Sequence, residues 1–402
     1  MHEVLRFGTI VLVVSGGFYL AVVSTKLTRA AISVPAPALF LLGAALASDL
    51  FPRLGDAVSI QAVERIGVVA LIVILFEGGM HVGWRRFRTS AVPITLLGVV
   101  GTFATAALMA VAARYVLGFS WQTASLLGAA LAPTDPAVMF SVLGNHEVGG
   151  RAGTILEGES GANDPVGISL MLGLLAYATS EHGGSGWTVV GDFALQMSVG
   201  VAVGAAGGLA LLEFMRRVAL PREGLYPLRT LAGAGVIYGA ATVAHGSGFL
   251  AVFVAGLLVG DRRAPYKAEI ERFHASLATL GEITVFVVLG LTVDLTDLAH
   301  GHLWLDGIVL AVVLVVVRPL VVGPLLLTSR LRRGERLFVM WGGLKGAVPI
   351  LLAALAILAG VADAQQIYGI VFVVVAFSVV VQGASIPFAA ARLEVPMRTV
   401  ER

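Results

Sequence analysis

The sequence predicts an all-α polytopic membrane protein of about thirteen transmembrane helices. The first observation behind this prediction is composition: of 402 residues, 57% are hydrophobic and 13% are charged, and the mean hydropathy is +0.92. Soluble globular domains carry about 25% charged residues. The second observation is that long apolar runs alternate with short loops, in which basic residues are unevenly distributed. Both observations exclude an ordinary soluble fold.

Composition also limits the chemistry that the chain can perform. The sequence has no Cys, which excludes disulfides, thiolate catalysis and Cys-based metal sites. The net charge of +2 says little about partners, and we expect the lipid bilayer but no nucleic acid among them. The first apolar run lacks a basic leading segment and is followed by Lys26 and Arg29, so we expect a retained helix and not a cleaved signal.

The apolar runs define the expected spans, because a helix needs about 20 residues to cross a bilayer. In order, these spans lie at approximately 5–25, 30–50, 62–83, 92–117, 121–143, 154–180, 191–215, 225–244, 247–260, 272–292, 303–328, 336–359 and 366–390.

The distribution of charge orients these spans. Basic residues concentrate on alternate loops, and loops rich in Lys and Arg face the cytoplasm. These residues are Lys26, Arg29, Arg85, Arg86, Arg88, Arg151, Arg216, Arg217, Arg222, Arg262, Arg263, Lys267, Arg272, Arg330, Arg332, Arg333, Arg336, Arg392, Arg398 and Arg402. The opposite loops hold Arg6, Arg53, Arg65 and Arg114 with Glu181, His182, Asp297, His300, His302, Asp306 and Asp363. We therefore expect a bacterial-type inner-membrane protein with its N-terminus outside and its C-terminus in the cytoplasm.

Two expected spans carry helix-breaking residues at mid-depth. The fifth contains Pro133 and Pro136, and the twelfth contains Gly342-Gly343-Leu344-Lys345-Gly346 before Pro349. The two spans are seven apart and therefore run in opposite directions, which is typical of an inverted repeat. This pattern predicts a first repeat at about 5–180, a linker helix at 191–215 and a second repeat at 225–390. The alternative is that Pro and Gly are simply common in membrane helices.

Acidic residues near these breaks predict an ion site. An ionisable side chain at bilayer depth costs about 2.5–3.5 kcal/mol, so each is a functional candidate. Asp164 has Ser160 one helical turn before it, and Asp135 follows Thr134 in the broken fifth span. Carboxylate, hydroxyl and freed backbone oxygens suit an alkali cation. The alternatives are a protonated Asp164 bonded to a neighbouring helix and an Asp135 that only caps a helix.

The other deeply placed charges need partners of their own. Glu159 points away from the Asp164 face, and Arg318 requires a buried acid, so we pair them as a structural bridge. The alternative is that Arg318 extends to an interface. Lys345 is expected to compensate helix ends at the break in the twelfth span. Glu77 is a candidate gate residue, with a solvated residue near the cytoplasmic end of span 3 as the alternative.

Together these motifs resemble the electroneutral branch of the monovalent cation/proton antiporters, the NhaP and NHE type. The resemblance covers nearly the whole chain and rests on Phe76-Glu77-Gly78-Gly79, Pro133-Thr134-Asp135-Pro136, Glu157-Gly158-Glu159-Ser160 with Asn163-Asp164, and Gly342-Gly343-Leu344-Lys345-Gly346-Ala347 with Arg318. The family usually has Arg where this chain has Lys345. The last motif is also similar to potassium/proton antiporters of cell-volume regulation, whose members often continue into a soluble regulatory domain, which we do not expect here.

The resemblance implies a single transmembrane domain with an NhaA-like fold, a homodimer and a role in pH homeostasis. Its core domain would hold spans 4–6 and 11–13, and its dimer domain spans 1–3 and 8–10. Asp164 would be the ion and proton carrier, Thr134, Asp135 and Ser160 further cation contacts, Asn163 the marker of electroneutral exchange, and Glu159 with Arg318 a bridge. No cofactor is implied besides the transported Na⁺, K⁺ or Li⁺ and H⁺.

On this basis the chain is expected to be a transporter and not an enzyme, in which cation and proton compete for Asp164. A passive cation channel is one alternative. A second is a rhomboid-like intramembrane serine protease, since Gly158-Glu159-Ser160-Gly161 resembles its serine motif and His245 could serve as base. A zinc protease is excluded, because Gly150 stands where the second His of the motif beginning His146-Glu147 should be.

Overall fold

The computed structural model describes residues 8–9, 11–12, 15–17, 19 and 23, and then 35–55, 58–143, 146–179, 186–262, 264–300 and 302–399. The expected span at 5–25 therefore lies largely outside the described residues. The same holds for the orienting charges Arg6, Lys26, Arg29, Glu181, His182, Arg263 and Arg402, and for the side chains of Arg53, Asp297 and His300.

The described part of the chain is helical almost throughout. In chain order the elements are α1 (Ala36–Leu50), α2 (Pro52–Gly55), α3 (Ile60–Thr89), α4 (Ala91–Thr95), a π-helical turn (Leu96–Gly101), α5 (Thr102–Val116), α6 (Trp121–Leu131), α7 (Pro136–Leu143), β1 (His146–Val148), α8 (Gly150–Thr179), α9 (Gly186–Arg217), α10 (Leu225–Val243), α11 (Gly248–Gly260), α12 (Lys267–Leu291), α13 (Leu295–His300), α14 (Leu303–Leu325), a 3-10 turn (Leu326–Thr328), α15 (Arg333–Trp341), α16 (Ala347–Leu358), α17 (Ala364–Phe377), a second π-helical turn (Ser378–Gln382), α18 (Gly383–Arg392) and β2 (Met397–Thr399).

Each expected span from 62–83 onwards coincides, over its described residues, with one helix or with two or three consecutive helical segments, and the described part of span 30–50 lies in α1. Among the described residues, six helical stretches are long and apolar enough to cross a membrane: α3, α4 through α5, α9, α12, α14 with its 3-10 turn, and α17 through α18. The acidic helix α8 is as long as α3 but is not one of the six, since polar residues at its centre lower its hydropathy. These apolar helices make the chain an integral membrane protein.

Local signals explain where several helices begin and end. The Ser120 hydroxyl accepts a hydrogen bond from the N–H of Thr123 and caps α6, and Ser247 caps α11 through the N–H of Leu250. Pro136 opens α7, where its missing N–H costs nothing. Gly360, two residues after the last residue of α16, has a φ of +69°, a left-handed conformation that favours glycine.

The chain divides into two compact units. The first unit comprises residues 1–67, 101–153 and 282–402, and the second comprises 68–100 and 154–281. In the second unit α9 packs against α11 through Gly200, Gly204 and Gly208, where an added Cβ would fall 2.5–2.9 Å from atoms of α11 or of its cap, Ser247. The sequence predicts this close-packing face from the four-residue spacing of these glycines.

The first unit contains a short antiparallel sheet that the all-α prediction missed. Strand β1 pairs with β2, with Glu147 opposite Arg398 and Val148 opposite Met397. The Gly149 N–H also donates to the carbonyl oxygen of Pro396, 2.7 Å away. The sheet joins the segment between α7 and α8 to the segment that follows α18.

Candidate functional site

Both predicted helix interruptions are present, and they meet within the first unit. Residues 132–135 separate α6 from α7, and residues 342–346 separate α15 from α16. The backbone N–H of Asp135 donates a 2.8 Å hydrogen bond to the carbonyl oxygen of Leu344. The two non-helical stretches therefore contact each other directly, which brings Asp135 next to the residue before Lys345.

Lys345 lies where the two non-helical stretches, residues 132–135 and 342–346, meet, a place called the crossing below. It is 1% exposed. Its Nζ donates to the carbonyl oxygens of Ala132 and Pro133, at 2.9 and 2.8 Å. The last carbonyls of a helix have no intrahelical partner and carry partial negative charge, so a cation at the end of α6 is favourable. These hydrogen bonds are what Lys345 would need in order to compensate the partial negative charge at the end of α6. That role stays a prediction.

Side chains of the second π-helical turn (Ser378–Gln382) form hydrogen bonds with the backbone on both sides of the break between α15 and α16. The N–H of Lys345 donates to the Ser378 hydroxyl at 2.9 Å, and that hydroxyl donates to the Gln382 amide oxygen at 3.1 Å. The Gln382 amide nitrogen then donates to the carbonyl oxygen of Trp341 at 2.7 Å, at the end of α15. Single π-helical turns are frequent at functional sites. The sequence analysis did not single out Ser378 or Gln382.

Arg318 also serves the end of a broken helix. It is 7% exposed, and its Nε and Nη2 donate to the carbonyl oxygens of Met340 and Val339, at 3.1 and 3.2 Å. A Cβ on Gly343 would overlap the guanidinium, so the glycine makes room for it. The predicted partner Glu159 belongs to the second unit, and that pairing stays a prediction.

Asp135 and Thr134 sit at the same crossing in the first unit. Thr134 is 5% exposed and Asp135 is half-buried. A Cβ on Gly346 would overlap the Asp135 carboxylate, so this glycine allows the acid to lie against the break before α16. Asp135 directly precedes α7, a position that fits the capping alternative as well as a cation ligand.

Glu282 is an acid that the sequence analysis missed. It lies on α12 and interacts electrostatically with Asp135, and its buried Oε1 makes no hydrogen bond to any described residue. The signal was present, because Glu282 stands inside the apolar part of the expected span 272–292. The first unit therefore holds a second buried carboxylate close enough to Asp135 to interact with it.

The remaining predicted ion ligands lie on α8 in the second unit. Ser160, Asn163 and Asp164 are 6%, 2% and 5% exposed, and α8 is continuous through them. Ser160 and Asp164 are one turn apart and share a helix face. Pro165 has no N–H, so the Gly161 carbonyl cannot receive the usual helical hydrogen bond and adds an oxygen near this face.

The polar atoms of this segment are tightly enclosed. The Oδ1 atoms of Asn163 and Asp164 accept no hydrogen bond from the described residues, although each side chain has another interaction. The same segment of α8 is closely packed at two glycines. A Cβ on Gly158 would fall 2.5 Å from the Ile94 side chain, and one on Gly161 would overlap the ring of Phe253.

Two further charged residues of α8 complete the description. Glu159 is 3% exposed. Glu157 lies 3.6 Å from the Nε2 of His81 on α3, a contact that the sequence analysis did not predict. The candidate gate Glu77, one turn before His81, is half-buried.

The structure thus groups the predicted residues in two sets: Thr134, Asp135, Arg318 and Lys345 in the first unit, and Glu77, Glu159, Ser160, Asn163 and Asp164 in the second.

Comparison with known proteins agrees with these motifs. Residues 7–392 match the family described as "Sodium/hydrogen exchanger, transmembrane". The chain is 36% identical over 392 residues to a K(+)/H(+) antiporter NhaP from Alkalimonas amylolytica, covering 96% of this chain and 67% of the relative. It is 34% identical over 335 residues to a K(+)/H(+) antiporter NhaP2 from Shewanella sp. (strain ANA-3), covering 82% of this chain and 58% of that relative.

The fold has a solved counterpart in the sodium proton antiporter MjNhaP1 from Methanocaldococcus jannaschii. The TM-score is 0.79 at 22% sequence identity, and the match covers 98% of each chain. The family match spans nearly all of the sequence, and it includes every residue of the two sets. The chain is therefore a member of the sodium/hydrogen exchanger transmembrane family.

Proposed function

We propose that the protein exchanges a monovalent cation, Na⁺ or K⁺, for H⁺ across the membrane. The observation that supports this most is the burial of Asp164, at 5% exposure, on a helix that also presents the Ser160 hydroxyl and the Gly161 carbonyl. The names of the relatives agree, since the two NhaP-type proteins are K(+)/H(+) antiporters and the solved counterpart is a sodium proton antiporter.

Competition for Asp164 is the proposed basis of coupling. A charged carboxylate in a dehydrated pocket is costly, and either a proton or a cation relieves that cost. Each ligand excludes the other. Because the empty, charged state is costly, only the cation-loaded and proton-loaded states would move the site across the membrane. Thr134, Asp135 and Ser160 would supply further oxygens to the cation. Proton entry down its gradient then drives cation exit.

The proposed transport cycle is alternating access in a homodimer of thirteen-helix protomers. The core, spans 4–6 and 11–13, would move against a dimer domain of spans 1–3 and 8–10, and the two halves would be inverted repeats. The contact between the two broken helices supports this assignment, because such breaks in corresponding positions of two repeats mark a transporter's binding site. The N-terminus would lie outside and the C-terminus in the cytoplasm of a bacterial inner membrane.

Asn163 supports one-for-one exchange. An acid at that position could carry a second proton, whereas an amide cannot. Exchange of one H⁺ for one Na⁺ or K⁺ moves no net charge. Lys345 is the residue that could change this stoichiometry, and we propose that it releases no proton in the cycle, since its Nζ donates to two carbonyl oxygens.

The two alternatives are less favoured. Family membership supports an exchanger over a passive channel. For the protease, Ser160 is enclosed in the middle of α8, whereas His245 is exposed at the end of α10, which does not suit a nucleophile and its base.

The test uses proteoliposomes with an imposed pH gradient, a pH-sensitive dye inside and each alkali ion added in turn. We expect Na⁺ or K⁺ to release the gradient without a change in rate or end-point when the membrane potential is clamped. Valinomycin sets the potential for sodium transport, and a lipophilic-ion gradient sets it for potassium. Cation flux without proton counterflow would identify a channel, and a voltage-dependent end-point would refute electroneutrality.

A further inference from the structure

Two short helices of the first unit each have one end at the crossing. Helix α7, of eight residues, begins directly after the first break and leads away from the crossing to Leu143, shortly before β1. Helix α15, of nine residues, leads from Arg333 towards the second break. At 1.5 Å per residue these two half-helices are about 12 and 14 Å long. Helices this short have little stability of their own, so their positions depend on tertiary contacts.

The far end of α7 is held by the segment after α18, residues 393–399, which we call the strap. Its strand β2 pairs with β1, with Met397 opposite Val148. The Gly149 N–H also donates to the Pro396 carbonyl oxygen at 2.7 Å. Helix α18, which precedes the strap, packs against α7. The connection between α7 and α8 is therefore fixed to the strap by backbone hydrogen bonds.

The strap also lies against the first turn of α15. A Cβ on Gly334 would overlap the carbonyl oxygen of Leu393, so this glycine lets the two backbones approach closely. The turn that ends α18 sets the course of the strap. In it the Val395 N–H donates to the Ala390 carbonyl oxygen at 3.1 Å, and Glu394 adopts a left-handed φ of +51°. The end of α15 away from the crossing thus contacts the same strap that pairs with β1.

These contacts close a frame whose two sides are the half-helices α7 and α15. At one end of the frame is the crossing, where the Asp135 N–H donates to the Leu344 carbonyl oxygen. At the other end is the strap. We propose that the strap positions both half-helices throughout the transport cycle and thereby holds Thr134 and Asp135 in the geometry that the cation requires. The strap serves the proposed exchange of cation and proton, and its role rests on that function.

The pattern of the sheet shows which bond to remove. Hydrogen-bonded and non-hydrogen-bonded pairs alternate along an antiparallel ladder. Gly149 and Pro396 are a hydrogen-bonded pair, so Glu147 and Arg398, two positions along, form the next one. R398P therefore removes a ladder N–H as well as the ion pair with Glu147, whereas R398A removes only the ion pair. The difference between the two variants isolates the backbone contact of the strap.

The experiment measures cation-dependent proton movement in proteoliposomes over a range of cation concentrations. We expect R398P to raise the apparent KM for the cation about fivefold or more, which corresponds to the loss of one hydrogen bond at the site. R398A is the matched control and should stay within about twofold of wild type. A purely structural role would lower the yield of folded protein and the maximal rate without a change in KM. An unchanged KM in folded R398P would overturn the proposal.

A disulfide keeps the test decisive if R398P folds poorly. The chain has no native Cys, so V148C/M397C places a single cross-link between directly paired positions of β1 and β2. We expect the oxidised double variant to transport as well as the reduced one, because the frame stays closed during the cycle. Oxidation of V148C/M397C/R398P should restore the KM of the double variant. Transport that stops on oxidation and returns with a reductant would overturn the proposal, because the strap would then have to open.

Thiol labelling separates a failure of this proposal from a failure of the exchange function. Val148 is 4% exposed and His146, on the same strand, is exposed. At constant pH, with Na⁺, K⁺ or choline, we expect a maleimide to label H146C but not V148C, and to label V148C once R398P is added. Labelling of V148C that depends on the cation would overturn the closed strap. A wild type without exchange, but with V148C protected throughout, would instead overturn the exchange function and leave the strap as a structural element only.

Discussion

The two sets of buried charges are held in different ways. In the first unit, Lys345 and Arg318 donate to carbonyl oxygens that the helix breaks leave without helical partners. In the second unit, Asp164 is buried inside a continuous helix, on the same segment as the closely packed Gly158 and Gly161. The two cations therefore bind backbone carbonyl groups at the helix breaks, while the acid lies within an unbroken helix.

This difference predicts separate consequences for folding and for transport. Removing a cation of the first unit leaves buried carbonyls without a donor, so stability falls. Neutralising Asp164 removes an electrostatic cost and leaves the packing intact, so the fold survives. A charge that transport requires can thus be distinguished from a charge that the fold requires, by measuring both properties in each variant.

The largest effect on transport is expected for Asp164→Asn. The isosteric amide cannot exchange a proton for a cation, so cation-dependent proton movement in proteoliposomes should fall about tenfold or more. The melting temperature should be unchanged or higher. Asp192→Asn, at an exposed position of α9, is the matched control and should transport normally. Substantial exchange by Asp164→Asn would refute the competition mechanism.

The largest effect on stability is expected for the proposed Glu159–Arg318 bridge. Removing one partner of a buried ion pair costs about 3–5 kcal/mol. Arg318→Ala should lower the melting temperature more than Glu159→Ala, because Arg318 also supports the Met340 and Val339 carbonyls. The double variant should lose less than the sum of the single variants. Strict additivity would show that the two side chains do not interact and that Arg318 serves only the end of α15.

Lys345→Met should lower both stability and transport. The variant keeps the apolar stem but leaves the Ala132 and Pro133 carbonyls without their charged donor, at a cost of roughly 2–5 kcal/mol. Lys267→Met is the control, since Lys267 donates to one carbonyl, that of Val259, and its side chain is 19% exposed. We expect a smaller loss there. Equal losses would mean that the crossing does not depend on the buried ammonium group.

The helices and their breaks could be predicted from the sequence because each has a local cause. Pro133, Pro136 and the glycines around Lys345 interrupt helices wherever they stand, and apolar runs of span length leave few other structures. The π-helical turn at Ser378 could not be predicted, because its partners come from a distant segment.

The short sheet in the first unit extends the comparison to an exposed charge pair. Arg398 donates from Nε and Nη2 to the Oε2 of Glu147, at 3.0 and 2.5 Å, and the two side chains are 49% and 14% exposed. Exposed pairs contribute about 0.2–1 kcal/mol and are screened by salt. Unlike Lys345, this pair supports strands that are already joined by backbone hydrogen bonds.

Glu147→Ala and Arg398→Ala should therefore each shift the melting temperature slightly, and their coupling in a double-mutant cycle should shrink at high salt. The charge-swapped double variant, Glu147→Arg with Arg398→Glu, should recover most of the loss. A coupling as large as that of a buried pair, or one insensitive to salt, would show that the sheet is held by this ion pair and not by its backbone.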